Sequence, residues 1–441
     1  MGLREDLLPR WDIFEEHLDE AAFLWARRER CLVSPEYSLE ETGREEERLL
    51  AHMEELAEGG KMVAGRLVEP SLEGDEPERI SVATYALLAQ SGADAYPRVL
   101  KALEEGDEAR HAAIQRTLEL WEGPERAEQL KPLLTSPLPG LRALAFEVSA
   151  FHGEAPNTSL LAGSVMDGDV RTRVAALRCV RFLPEPYRAG FVPAALVATA
   201  PAVRLAGIEL GLQCGAHAAW SACLSLAQSS SAERARAWLL LALGGGEKEL
   251  EPVLRGLEEA GSRAQALWAL GFSGRVAAAD ACLGAMQEGP APNSALAAEA
   301  FSAITGLRLE GRYVGAPPAE DEPLPPLEEE ELDADLVPKP EEQLTPPAVD
   351  AITEWWRSAR QHFDPRGRYL RGQPFAARTL LLALQHESMR RRHVLALELA
   401  LRSGGTLWIQ PRGRVARQRK QLLGADGSTP RISVQTFDKK S

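Results

Sequence analysis

The 441-residue sequence has few aromatic residues, 6% of the total, and only five cysteines. Cys31, Cys179, Cys214, Cys223 and Cys282 are odd in number, widely separated and form no CxxC pair. That pattern excludes a disulfide framework and suits small buried apolar residues in a reducing compartment. No stretch approaches the roughly 18 uninterrupted apolar residues of a membrane span. The first eleven residues carry early acids and no apolar h-region, so they do not read as a signal peptide. Asp6 stands where a myristoylation motif needs Ser or Thr. A cytoplasmic protein is expected. A basic surplus is also missing: the net charge is −15 and the pI near 5.2. This argues against a nucleic-acid-binding surface over the chain as a whole.

Catalytic signatures are equally scarce. There is no Gly-x-Ser-x-Gly elbow, Walker loop, HExxH pair or strand-linked Gly-x-Gly-x-x-Gly. Gly244-Gly-Gly246 lacks the Lys and Ser/Thr of a phosphate loop and reads as a turn between helices. Cys214, His217 and Cys223 are the densest candidate metal cluster, but zinc needs a fourth ligand and none lies near in sequence. The acids of Glu328–Glu331 sit in a run without the desolvation that acid–base work requires. No catalytic residue, metal or cofactor is assigned.

What the chain does contain is a repeat. Arg-led, Ala- and Leu-rich segments begin at Arg110, Arg142, Arg173, Arg204, Arg236 and Arg263, at successive intervals of 32, 31, 31, 32 and 27 residues. Each is followed by a break rich in Gly or Pro and then by a second apolar segment, such as Leu160–Met166 or Leu250–Leu257. Apolar positions three and four apart over 10 to 14 residues predict helices. Short polar residues at the boundaries, among them Asp107, Asp169, Ser262 and Asn293, are candidate N-caps. One such hairpin cannot bury its apolar face alone, so stacking is predicted. The expected fold is all-α: a right-handed solenoid of HEAT-like hairpins over 80–315, with an N-terminal helical cap at 1–79. An acidic, Pro-rich linker is expected at 316–347 and a small C-terminal helical module at 348–441.

The linker carries 11 acids against one base, and the C-terminal region 18 Lys or Arg against 7 Asp or Glu. In the cap, an acidic turn is expected at Glu40–Glu47. In the C-terminal region, helices are expected at Val349–Phe363, Phe375–His386 and Met389–Arg402, around Trp355, Trp356 and Leu380, with the last dozen residues frayed. The recurrent arginines are expected to bridge to acids of the neighbouring repeat. Arg390, Arg391, Arg392, Arg412, Arg414, Arg417, Arg419 and Lys420 form a candidate basic patch, which could meet phosphates or the linker's own acids.

The segment Asp167-Gly-Asp-Val-Arg-Thr-Arg-Val-Ala-Ala-Leu resembles the HEAT-like repeat of phycobilisome-lyase-type proteins. Glu299-Ala-Phe-Ser-Ala-Ile-Thr-Gly-Leu307 is similar to the closing repeat of bacterial HEAT arrays. The ends, at His17–Trp25 with Arg28, His52–Leu56, Ala396–Leu401 and Arg417-Gln-Arg419, resemble a proteobacterial HEAT-repeat family. That family is associated with type VI and other contractile secretion gene clusters. The resemblance implies a solenoid fold and a secretion-linked context.

The expectation is a protein-interaction scaffold or adaptor that grips another protein and is not an enzyme. Membrane binding is not expected, nucleic acid is disfavoured, and the acidic linker could touch the basic module. The alternative is a HEAT-like enzyme, of the bilin-lyase or DNA-glycosylase type, or nucleic-acid binding through the basic C-terminal module.

Overall fold

The computed structural model describes residues 10–289, 291–316, 339–427 and 432–439. The chain is an all-α helical repeat. Among the described residues, the sole sheet is a hairpin of two-residue strands, Tyr369–Leu370 and Gln373–Pro374. No described helix is long and apolar enough to cross a membrane.

The chain divides into two compact units that do not follow the sequence blocks. One comprises residues 1–32, 37–210 and 409–424; the other comprises 33–36, 211–408 and 425–441. The linker's core, 317–338, lies outside the described residues. Its end does not hang free: Gly315 N donates to Pro346 O at 2.8 Å and Ala348 N to Tyr313 O at 2.9 Å.

In the first unit, helices Trp11–Cys31 and Leu39–Glu58 form an opening pair. The expected turn at Glu40–Glu47 is instead the first half of the second helix. Ser38 explains why: its hydroxyl accepts from Glu41 N at 3.2 Å, and Glu41 Oε2 accepts from Ser38 N at 2.8 Å. This reciprocal capping box starts the helix at Leu39, one residue before the acids begin. The acids then pair sideways, Arg27 with Glu45 and Arg28 with Glu46, each at 2.9 Å.

Repeat hairpins follow, with first helices Pro77–Ser91, Glu108–Leu120, Pro139–His152 and Val170–Val180. Asp107 and Asp169 do cap, accepting from Arg110 N and Thr172 N at 2.9 and 2.8 Å. The second helices are short, down to five residues in Arg126–Leu130 and Val192–Leu196. Neighbouring first helices are stitched by small polar groups. Thr117 Oγ1 donates to Ser81 O at 3.0 Å, Thr172 Oγ1 to Pro139 O at 3.2 Å, and Cys179 Sγ to Phe146 O at 3.1 Å. Small side chains let the backbones come that close, which is why Ala, Ser and Thr fill these faces.

In the second unit the hairpins continue through His217–Ala227, Arg234–Gly244, Arg263–Leu270 and Val276–Glu288 to helix Ala291–Thr305. Asn293 therefore lies inside a helix, at its third residue, and not ahead of it. Ser262 makes no side-chain cap. The following helices, Val349–Ala359, Ala377–His386 and Met389–Arg402, were expected to build a small core of their own. They share the core of the repeats: Phe301 meets Trp356 edge-on at 5.2 Å and Trp355 at 6.1 Å. The described tail, 432–439, is not frayed either. Phe437 is buried, edge-on to Trp220 at 5.9 Å, and Arg402 donates to Ser433 O and Gln435 O, both at 2.9 Å.

Gly244 ends helix Arg234–Gly244 directly beneath the Phe437 ring, where a β-carbon would overlap the ring atoms. Gly244→Ala should cost about 1–3 kcal/mol through overpacking, and Phe437→Ala about 3–5 kcal/mol through the cavity it leaves. The double variant should lose less than the sum, because the truncated ring makes room for the methyl group. Denaturant titration of the four proteins measures this, and strictly additive losses would show that the two residues do not meet.

Candidate functional site

The recurrent arginines occupy one structural role, and it differs from the one expected. In Arg110, Arg142, Arg173, Arg204 and Arg263 the guanidinium turns back onto the carbonyls that end an earlier turn. Arg142 Nη1 donates to Ser136 O at 2.8 Å and Pro137 O at 3.2 Å. Arg173 Nε donates to Val165 O at 3.1 Å, and Arg204 Nη1 to Ala198 O and Thr199 O at 2.7 Å. Arg263 Nε donates to Leu257 O at 2.7 Å, and Arg110 Nη2 to Glu73 O at 3.1 Å. Short helices leave proportionally more orphan carbonyls at their C-termini, and a cation there is doubly favoured. The expected acid bridge to the neighbouring repeat occurs at Arg142, whose Nη2 lies 2.8 Å from Asp167 Oδ2. The periodic Arg is thus a turn-capping device.

The candidate basic patch is divided between interior and surface. Arg390, Arg391 and Arg392 are 8%, 3% and 0% exposed, so they present no patch to phosphate. Arg391 Nη2 donates to Gly271 O at 2.9 Å and Arg390 pairs with Glu341 at 3.0 Å. Burial pushes the Arg392 guanidinium down to about 10. A run of three arginines reads as solvated because the groups that cover it lie far away in sequence, Glu341 about 50 residues and Gly271 120 residues earlier. Arg419 and Lys420 are exposed and Arg412 is half-exposed. Arg414 reaches the Tyr85 hydroxyl, and Arg417 holds the carbonyl of His152 at 3.2 Å.

Arg412, Arg414 and Arg417 belong to residues 409–424, where the sequence marked a basic patch but no helix; a helix begins there at Val415. In the first unit this segment lies in a cradle formed by several helices, and the cradle holds it largely by its backbone. Arg28, 1% exposed, donates through Nη2 to Gly413 O at 3.2 Å and Arg412 O at 3.3 Å. Arg116 Nη2 donates to Arg412 O at 2.7 Å. Glu46 Oε1 accepts from Val415 N at 2.8 Å, satisfying one of the free amides at the start of that helix. Gly43 faces Val415, where an added β-carbon would come within 3.2 Å of Cγ1.

The three gripping side chains are fixed by one another. Arg28 Nε donates to Glu46 Oε2 at 2.9 Å and Nη1 to Glu29 Oε1 at 2.7 Å. Arg116 donates to both Glu29 oxygens at 3.0 Å and to Glu119 Oε2 at 2.9 Å. Burial would raise the Glu29 carboxyl, but Arg116, Arg28 and Arg412 outweigh it and hold the group down at about 2. At the far end, His152 stays neutral. Burial, Arg126 and Arg417 depress it to about 3, although the Leu118 carbonyl opposes them. Its Nδ1 accepts from Arg417 Nη1 at 3.0 Å and its Nε2 donates to Leu118 O at 3.1 Å. The arrangement can bind and orient a polypeptide main chain. It aligns no nucleophile with a base.

No family model matches the chain, and no curated protein matches it. Among solved structures the chain is similar to human deoxyhypusine hydroxylase in complex with glycerol, at 14% identity over 66% of this chain and 96% of that one. The TM-score is 0.26, a likeness too slight to bear on chemistry or fold.

Because the Glu29 pKa is lower in the folded chain than the ordinary 4.5, its contribution is complete above pH 4.5 and is lost as the pH falls towards 2. Those two values correspond to about 3 kcal/mol. Glu29→Gln should lower stability at neutral pH by an amount of that order and flatten the acid limb between pH 4.5 and 2. Chemical denaturation across that range is the measurement. An unchanged acid limb in the variant would mean that Glu29 is not the group responsible.

Proposed function

We propose that the chain is a protein-interaction scaffold or adaptor whose helical repeats hold another polypeptide. The observation that carries this reading is the backbone grip of Arg28, Arg116 and Glu46 on residues 412–415. In the first unit the repeats already act as a receptor for a remote segment of their own chain. Recognition through carbonyls and an amide demands little of the bound side chains, which suits an adaptor more than an enzyme. Repeat arrays offer extended surfaces of this kind.

The partner in this reading is a component or effector of a contractile secretion machine, an assignment that rests on the resemblance of the two ends. The nucleic-acid alternative loses three of its eight candidate contact residues, since Arg390, Arg391 and Arg392 are buried.

The test is reversible cross-linking of the tagged full-length chain at native abundance, followed by mass spectrometry of what is retained in high salt. One polypeptide should be recovered near equimolar ratio, and its contacts should fall on the repeat helices. Recovery of no polypeptide above the untagged background sinks the scaffold reading. Recovery of one unrelated to contractile machinery sinks the secretion context alone.

A further inference from the structure

The opening helix pair of the first unit carries two histidines that neither the repeats nor the cradle use. His17 lies on helix Trp11–Cys31 and His52 on helix Leu39–Glu58. Their Nδ1 atoms meet at 2.9 Å, with ring centroids 5.0 Å apart and ring planes inclined at 59°. Both residues are half-buried, so solvent reaches the contact.

The helices are held together on either side of this pair. Towards one end Arg27 bonds to Glu45 and Arg28 to Glu46, each at 2.9 Å. Towards the other, Gly59 packs so closely on Phe14 that a β-carbon would come within 2.8 Å of the ring. The two nitrogens are therefore presented to each other by a braced scaffold. Glu20, one turn after His17, is 43% exposed and lies 4.0 Å from Arg48, which is drawn more closely to Glu45 at 3.1 Å.

In such a contact one Nδ1 donates and the other accepts. Burial, and after it His17, pushes His52 below its ordinary pKa; Arg48 adds to this, while Glu20 and Glu16 oppose it. An imidazole must be unprotonated to bind a metal, so His52 is a ready ligand at neutral pH.

The separation of the nitrogens also selects among ions. With metal–imidazole bonds of about 2.0–2.1 Å, two ligands at a right angle sit about 2.9 Å apart, and two at a tetrahedral angle about 3.3–3.4 Å apart. The right angle belongs to tetragonal Cu2+ or Ni2+, and the tetrahedral one to Zn2+. To aim both lone pairs at such an ion the imidazoles turn while the helices stay in place. The ring that had donated passes its proton to Nε2 through solvent.

From this juxtaposition we propose that His17 and His52 form a site for a divalent metal ion of tetragonal preference, Cu2+ above Ni2+ and Zn2+, bound through both Nδ1 atoms. Among the described residues no group of three or more His, Cys, Asp or Glu is already arranged to hold a metal. Water completes the shell, and Glu20 is the carboxylate placed to displace one water by a change of rotamer.

Titration of the full chain with CuCl2, NiCl2 or ZnCl2, in glycine buffer that competes for isolated histidines, tests the proposal. One equivalent of Cu2+ should bind about tenfold or more tighter than the next, and tighter than Zn2+ by a similar factor. Electron paramagnetic resonance of that equivalent should show two imidazole nitrogens. His17→Gln and His52→Gln should each abolish it, together with the copper-induced rise in melting midpoint. His362→Gln, which alters an exposed histidine of the second unit, should change neither. The proposal is overturned if no equivalent stands out, if Zn2+ binds as tightly, or if a folded His17→Gln or His52→Gln chain retains the site. Should neither variant fold, the spectrum of the unmodified chain decides, and a single imidazole nitrogen overturns it.

Discussion

A guanidinium removed from water and satisfied by backbone carbonyls is the interaction on which both units depend. Five N–H donors in a rigid fork let one arginine close several carbonyls at once. In the repeats, Arg142, Arg173, Arg204 and Arg263 cap the turns left open by very short helices. In the first unit Arg28 and Arg116 extend the same bond to a distant segment. In the second, Arg402 does so for Ser433 and Gln435 while Glu398 neutralises it at 2.6 Å. Removing Glu398, the carboxylate shared by Arg368 and Arg402, would strand a buried cation, and breaking a pair of this kind costs several kcal/mol.

The repeats were legible because they rest on local rules: an interval near 31 residues, helical spacing of apolar groups, and Gly or Pro between segments. The N-caps at Asp107 and Asp169 follow from the same short-range chemistry. The acidic stretch Glu40–Glu47 has the charge density of a turn, yet the Ser38-x-x-Glu41 signature beside it marks a helix start.

Other features could not be read from neighbouring residues at all. Arg390–Arg392 look solvated until Gly271, Ser34 and Glu341 are known to cover them. The helix beginning at Val415 was hidden by the basic run Arg417, Arg419 and Lys420 and by Gly424 and Gly427, which suggest a frayed end. Its start is stabilised by Glu46, some 370 residues earlier, so no window of sequence contains both partners. His17 and His52, 35 residues apart, likewise meet only once two helices lie side by side.

The interleaving of the two units has a consequence for synthesis on the ribosome. Residues 409–424 complete the first unit, yet about 200 residues of the second are made between them and Leu210. At typical elongation rates of 5–20 residues per second, roughly 10–40 s pass before the cradle can receive its own segment. Throughout that interval Arg28, Arg116 and Glu46 face outward from a nascent chain, available to whatever helper proteins attend translation.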